Sequence, residues 1–294
     1  LRVGNYEKLH SDLKKQSAGR IQTAGTLLTR FAEELIRREQ NEKVIPAMRG
    51  RLASLAKSTG DWKDWQALYQ SDEQQHRVLA LALGEDHQLQ GPAAVPAMPA
   101  ALSAAYDDAV TEFVAMHPFA GGRETRGFAG VVFEEYVYAW AMRQQSPSIA
   151  PILERRLAEE GYLPTPLLSW FCLGGAGQGD LELRSEAFGA FYDSLLAAEE
   201  HAGADTSGDL VISQQDKSGS AVIVPAHQDQ EIKVGLLLDD ASSSIVVWRR
   251  LRYALVDVKC AVRLGTRGVP FAIGPNVEIH CGQLTVGASE FRVY

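Results

Sequence analysis

The sequence is poor in cysteine, in long apolar runs and in net positive charge, and each shortage excludes a class. Its 294 residues contain three cysteines, Cys172, Cys260 and Cys281. The number is odd and no Cys-x-x-Cys spacing occurs, so buried free thiols in a reducing cytoplasm are expected rather than a disulfide framework. The longest apolar runs, such as 79–83 and 131–133, fall far below the ~18 residues of a membrane helix, and no membrane partner is expected. The first eight residues lack the charged-then-apolar layout of a signal peptide. With 29 basic and 37 acidic residues the chain carries a net charge of −8, which excludes a uniformly basic nucleic-acid coat. At 46% hydrophobic and 22% charged it sits in the globular range,. The first residue is Leu1, and the last, Tyr294, ends a strand-like run, so the expectation is a segment of a longer multidomain protein.

Catalytic signatures are also missing. The loop Gly174-Gly175-Ala176-Gly177-Gln178-Gly179-Asp180 is rich in glycine. It lacks the Lys-Ser/Thr that would reach phosphates, and its third glycine is wrongly spaced for a dinucleotide turn. Glu7/His10 and Glu73/His76 have the i,i+3 spacing of di-iron bundle ligands, with Glu34, Glu134 or Glu135 as nominal additions. His76, however, lies in a polar tract without the apolar wall such a site needs. There is no Gly-x-Ser-x-Gly elbow, and the aromatic and aliphatic neighbours of Cys172 favour burial over thiolate chemistry. The reading therefore assigns no catalytic residue, no cofactor and no metal.

What is present is a change of period. Ala24, Leu28, Phe31 and Leu35 step by four, three and four along a helix expected over 5–39, with Glu33/Arg37 and Glu34/Arg38 as i,i+4 pairs. Further helices are expected after Pro46, from the cap Asp61, near Leu102, and around 152–160. Another spans Phe128–Met142, apolar on nearly every side and hence central in a bundle. One more follows Ser185, through Phe188, Phe191, Tyr192, Leu195 and Leu196. The Ala/Pro stretch 91–99 marks a connector, with a sub-boundary at 84–100. From Asp209 the period becomes two, in β-branched runs bounded by Asp, Ser and Gly. Short doublets at 262–264, 271–273, 277–279, 284–286 and 291–293 suggest corners at Gly268, Gly274-Pro275, Gly282 and Gly287. An antiparallel meander is preferred over a β-solenoid, because five unevenly spaced doublets make a weak repeat. The fold class is then α+β and multidomain: an all-α domain, 1–203, followed by a mainly antiparallel or solenoid-like β domain, 204–294.

Two clusters look like binding surfaces. Arg123 and Arg126 in the polar loop Gly121–Gly127 have the chemistry to hold a carboxylate or phosphate. Trp248-Arg249-Arg250-Leu251-Arg252-Tyr253, followed by Lys259, Arg263 and Arg267, combines guanidinium groups with aromatics. Period two puts Trp248, Arg250 and Arg252 on one face and Arg249, Leu251 and Tyr253 on the other. By region the charge is +6 over 1–57, −13 over 58–203, −5 over 204–240 and +4 over 241–294, an acidic middle between basic ends.

Gly60-Asp61-Trp62-x-x-Trp65-x-x-Leu68-Tyr69 resembles the first helix of tetratricopeptide-like units. It covers about ten residues and has no second copy, so no family residue is carried over. A helical array joined to a β tail is similar to parts of multidomain bacterial signalling or defence assemblies. The expected function is a non-enzymatic protein–protein interaction or scaffold module in the cytoplasm, binding protein partners through Arg123, Arg126, Trp248, Arg249, Arg250, Arg252, Tyr253, Arg263 and Arg267. The alternatives are nucleic-acid association through the basic strand 248–267 and the basic N-terminal helix, and a metal- or thiol-dependent enzyme.

Overall fold

The computed structural model describes residues 24–39, 42, 117–121, 128–144, 163–175, 181–201, 209–224, 231–238, 243–266 and 268–294. The helices expected after Pro46, from Asp61, near Leu102 and over 152–160, the Ala/Pro connector and both Glu-x-x-His pairs lie outside them. Within the described residues the fold is α+β, with four helices, a seven-stranded sheet and a three-stranded sheet. The chain divides into two compact units, Leu1–Val137 and Tyr138–Tyr294. The change of period in the sequence, by contrast, marks a boundary at 203.

In the first unit, α1 (Ala24–Arg38) buries Ala32, Leu35 and Ile36, while Leu28 and Phe31 are half-buried. The buried stripe is therefore rotated from the expected one. Thr29 shares it, and its hydroxyl donates to the Gly25 carbonyl at 2.8 Å, which removes the cost of burying it,. The expected i,i+4 pairs are replaced. Arg37 pairs with Glu34 at 2.7 Å, and Arg38 turns to its neighbour Glu39 at 2.8 Å. Glu39 is buried, and a buried carboxylate needs a countercharge more than the exposed Glu34 does,.

Phe119 anchors the second described part of this unit. It stacks on Phe133 with centroids 4.5 Å apart and meets Tyr136 edge-on at 5.8 Å. Both partners belong to α2 (Val131–Gln144), whose residues Tyr136 to Met142 are all buried, as an element apolar on nearly every side should be,.

The second unit contains α3 (Pro166–Gly175) and α4 (Phe188–His201). Thr165 and Pro166 start α3: the Thr165 hydroxyl accepts from the Leu167 N–H at 3.2 Å, and proline needs no partner at the first helical position,. Ser194 fastens α4 to that start. Its hydroxyl accepts from the Ser169 N–H at 2.8 Å and donates to the Thr165 carbonyl at 2.5 Å.

Ten strands follow the change of period: β1 (Leu181–Arg184), β2 (Asp209–Gln215), β3 (Ser218–Val224), β4 (Ile232–Leu237), β5 (Ser244–Val247), β6 (Arg250–Asp257), β7 (Ala261–Leu264), β8 (Phe271–His280), β9 (Gln283–Val286) and β10 (Phe291–Val293). β2, β3 and β4 are antiparallel neighbours, and Asp216, at φ 53°, turns the β2–β3 hairpin,. β1 pairs with β4 in parallel, burying Leu181 and Leu183. Residues 1–203 are thus not wholly helical. A four-residue strand is too short to show its period.

From β5 onward the preferred meander gives way to a parallel β-solenoid arrangement. Strands alternate between two sheets, with β5-β7-β9 in one and β6-β8-β10 at the end of the other, and every pair is parallel. Successive coils place Ile245, Val262 and Leu284 in one stack and Val247, Leu264 and Val286 in another. Alternating doublets satisfy a parallel and an antiparallel neighbour equally well, so the pattern did not distinguish them.

Gly274-Pro275 lies inside β8 rather than at a corner. Leu251 pairs with Ile273 but Tyr253 pairs with Asn276, so β8 holds an extra residue there. Proline has no N–H to give the ladder, and a Cβ on Gly274 would come within 2.6 Å of the Arg252 carbonyl oxygen,.

The first coil is tied to α4 by Trp248. This buried side chain lies against bare helix backbone at Gly189, where a Cβ would fall 2.5 Å from the indole Nε1 and 2.8 Å from the Val246 carbonyl oxygen. In an open helix Gly→Ala gains about 1 kcal/mol. Here Gly189→Ala is expected to lose about 1–3 kcal/mol through overpacking. Urea unfolding checks the sign, and an unchanged or raised midpoint would refute the fit of Trp248 on Gly189.

Candidate interaction surface

The arginine-aromatic segment is positioned by the turn between β5 and β6. Trp248 leaves β5 inward, and Arg249 then reaches α4, where it hydrogen-bonds and ion-pairs with Asp193. The Asp193 side chain is buried and the Arg249 side chain largely so. Arg250 and Arg252 are half-buried. They act on the same helix: burial pushes the Tyr192 phenol far above its ordinary range, Arg250 and then Arg252 pull it back, and Asp193 between those two in strength adds to the rise,. Three of the singled-out arginines therefore direct charge toward one turn of α4.

The expected division of faces is broken by the irregularity between Leu251 and Tyr253. Leu251 is fully buried whereas Tyr253 is 38% exposed. Tyr253 points outward with Leu255, and Ala254 and Val256 point inward. Arg263 is exposed on β7, its guanidinium lying over Gly287. Arg123, Arg126 and Arg267 lie outside the described residues.

The outer face of the seven-stranded sheet carries a feature the sequence reading missed. Pairing across β4, β3, β2, β6 and β8 sets Lys233, Val222, Val211, Leu255 and Glu278 in one row. The adjoining row runs Val224, Asp209, Tyr253, Asn276. Val211 is 42% exposed, Leu255 43% and Val224 37%. Three apolar side chains are thus side by side across three strands, with an aromatic ring next to them, a lysine at one end and a glutamate at the other. Period two already required this. If Leu210, Ile212, Ala221 and Ile223 face the core, then Val211, Val222 and Val224 face outward, where polar residues are the rule.

Two groups with catalytic potential among the described residues are buried. Cys172 is buried in α3 as a free thiol. His117 is buried, its Nδ1 accepting from the Phe119 N–H at 3.1 Å. Among the described residues, no three His, Cys, Asp or Glu side chains are grouped so as to hold a metal ion, and no helix is long and apolar enough to cross a membrane.

Two measurements probe the α4 contact. Arg249→Ala removes the ion pair made by the buried Asp193 carboxylate and is expected to cost about 3–5 kcal/mol, most of it recovered by Arg249→Met with Asp193→Leu,. Denaturant titrations of the two variants provide the comparison. The Tyr192 phenol is held above its unfolded value of about 10,. Its neutral form is favoured in the fold, so that contribution is intact below pH ~10 and is lost as pH rises beyond it. Tyr192→Phe is expected to flatten the alkaline limb of the stability profile.

Comparison with family models, curated proteins and solved structures gives no match.

Proposed function

We propose that the chain is a non-enzymatic protein–protein interaction module of a larger assembly, with the outer face of the seven-stranded sheet as its working surface. The observation that carries this reading is the contiguous row of half-buried Val222 with exposed Val211 and Leu255, with exposed Val224 and Tyr253 alongside. Isolated exposed apolar residues are ordinary. A contiguous set on one β face is expensive to keep in water and is the type of surface that partners cover. Lys233 and Glu278 at opposite ends of the row give it a polar rim of both signs, which suits a protein better than a polyanion,. The commitment of Arg249 to Asp193 also moves the reading from the arginine segment to this apolar face. The free thiols Cys172, Cys260 and Cys281 favour a reducing compartment such as the cytoplasm,.

Site-specific photo-crosslinking tests the surface. A benzophenone side chain at position 211 or 255 is expected to give discrete protein adducts in extracts of the source cell, and one at the exposed hairpin residue Lys217 none. Once a partner is isolated, Leu255→Lys should weaken it at least tenfold, or about 1.4 kcal/mol. Nuclease-sensitive adducts, or none from a folded protein, would replace this reading with another.

A further inference from the structure

The corner that joins one coil to the next brings two cysteines together. β7 begins at Ala261 and β9 at Gln283, and these two residues are partners in register. The Gly282 N–H donates to the Cys260 carbonyl at 3.1 Å, which carries the stacking one residue further back. Cys281 is therefore one coil across and one residue along from Cys260. With strands ~4.8 Å apart and a rise of ~3.3 Å per residue, that diagonal corresponds to a Cα separation of ~5.8 Å. Disulfides need about 4.4–6.8 Å.

Neither cysteine belongs to a strand, so the alternation that turns diagonal neighbours to opposite faces does not bind them,. The corner itself is held in place. The Gln214 side-chain oxygen, reaching from β2, accepts from the Lys259 N–H at 2.7 Å and the Cys260 N–H at 3.0 Å. Burial pushes the Cys260 thiol up, backbone hydrogen bonds at Ile245 and at Cys260 itself pull it back, and Cys281 adds a smaller rise,. Both cysteines are half-buried and within reach of a small reagent, whereas Cys172 is fully buried.

We propose that Cys260 and Cys281 form a thiol–disulfide modification site, which a low-molecular-weight disulfide of the glutathione type oxidises to a clasp between successive coils. One cysteine thiolate attacks a sulfur of the reagent, forms a mixed disulfide and releases one small thiol. The second cysteine thiolate attacks the protein-side sulfur, forms the Cys260–Cys281 bond and releases the second small thiol. The protein loses two protons and two electrons, and the reagent gains them. The clasp closes residues 261–280 into a ring and ties β9 to β7, where Leu284 and Val286 of β9 stand half in solvent.

The test equilibrates the whole chain in graded mixtures of reduced and oxidised glutathione, quenches with acid and maps the cysteines by peptide mass. A Cys260–Cys281 crosslinked peptide pair is expected, with Cys172 still reduced. Amide exchange over 283–293 should slow at least tenfold in the oxidised form. Cys260→Ser and Cys281→Ser should each give a stable glutathione adduct on the remaining cysteine. Adducts on both cysteines of the native chain without a crosslink would overturn the proposal. So would intermolecular dimers, or a crosslink that forms only in denaturant.

Discussion

The contact between Trp248 and the backbone of α4 fixes the start of the solenoid. An indole comes this close to helix backbone only where a side chain is missing, as at Gly189,. The contact determines where β5 ends. It also delivers Arg249 to Asp193, one turn further along α4, so an apolar and an ionic tie hold the same helix to the first coil. The coils after it are parallel copies of that first one, placed by the backbone ladder and by stacked side chains such as Ile245, Val262 and Leu284. If the first coil were displaced, every later register would move with it.

The sequence made the elements legible and the neighbours illegible, for a physical reason. Burial on all sides was readable at Tyr136 to Met142, because an unbroken apolar run leaves a helix no polar face,. The strands were readable from alternation. Strand direction was not, because a doublet such as Val262-Arg263-Leu264 points two side chains inward whichever way its neighbour runs. Gly274-Pro275 looks locally like a corner. Only the register of β6 against β8 shows that it absorbs one extra residue within a strand. β1 was hidden by its length and by its distance in sequence from β4, the strand that completes it.

The candidate surface is legible in the sequence only through strand phase, a weaker signal than the charge of the arginine segment. Arginines beside aromatics are conspicuous, and in the absence of a fold they look exposed. The outward Val211, Val222, Val224 and Leu255 are inconspicuous, since apolar residues are expected in strands. Their meaning depends on phase. Once the inward set is assigned, each of these is an apolar side chain in a position that solvent normally fills with polar ones,. Strand phase, rather than charge, is the signal in the sequence that marks the row.

The bipolar charge also acquires a different sense in the fold. Asp193 belongs to the acidic middle of the sequence and Arg249 to its basic end, yet they form one buried pair. The Tyr192 phenol beside Asp193 feels Arg250 and Arg252, and Glu186 near the start of α4 is felt at Cys260 in the solenoid corner. The acidic segment and the basic segment are, at these points, complements of one another within the second unit. Separation of charge along a chain therefore does not imply separation in space. When opposite blocks lie on elements that pack together, part of the imbalance is cancelled internally, and a surface for a partner must then be sought where the fold leaves apolar area in water.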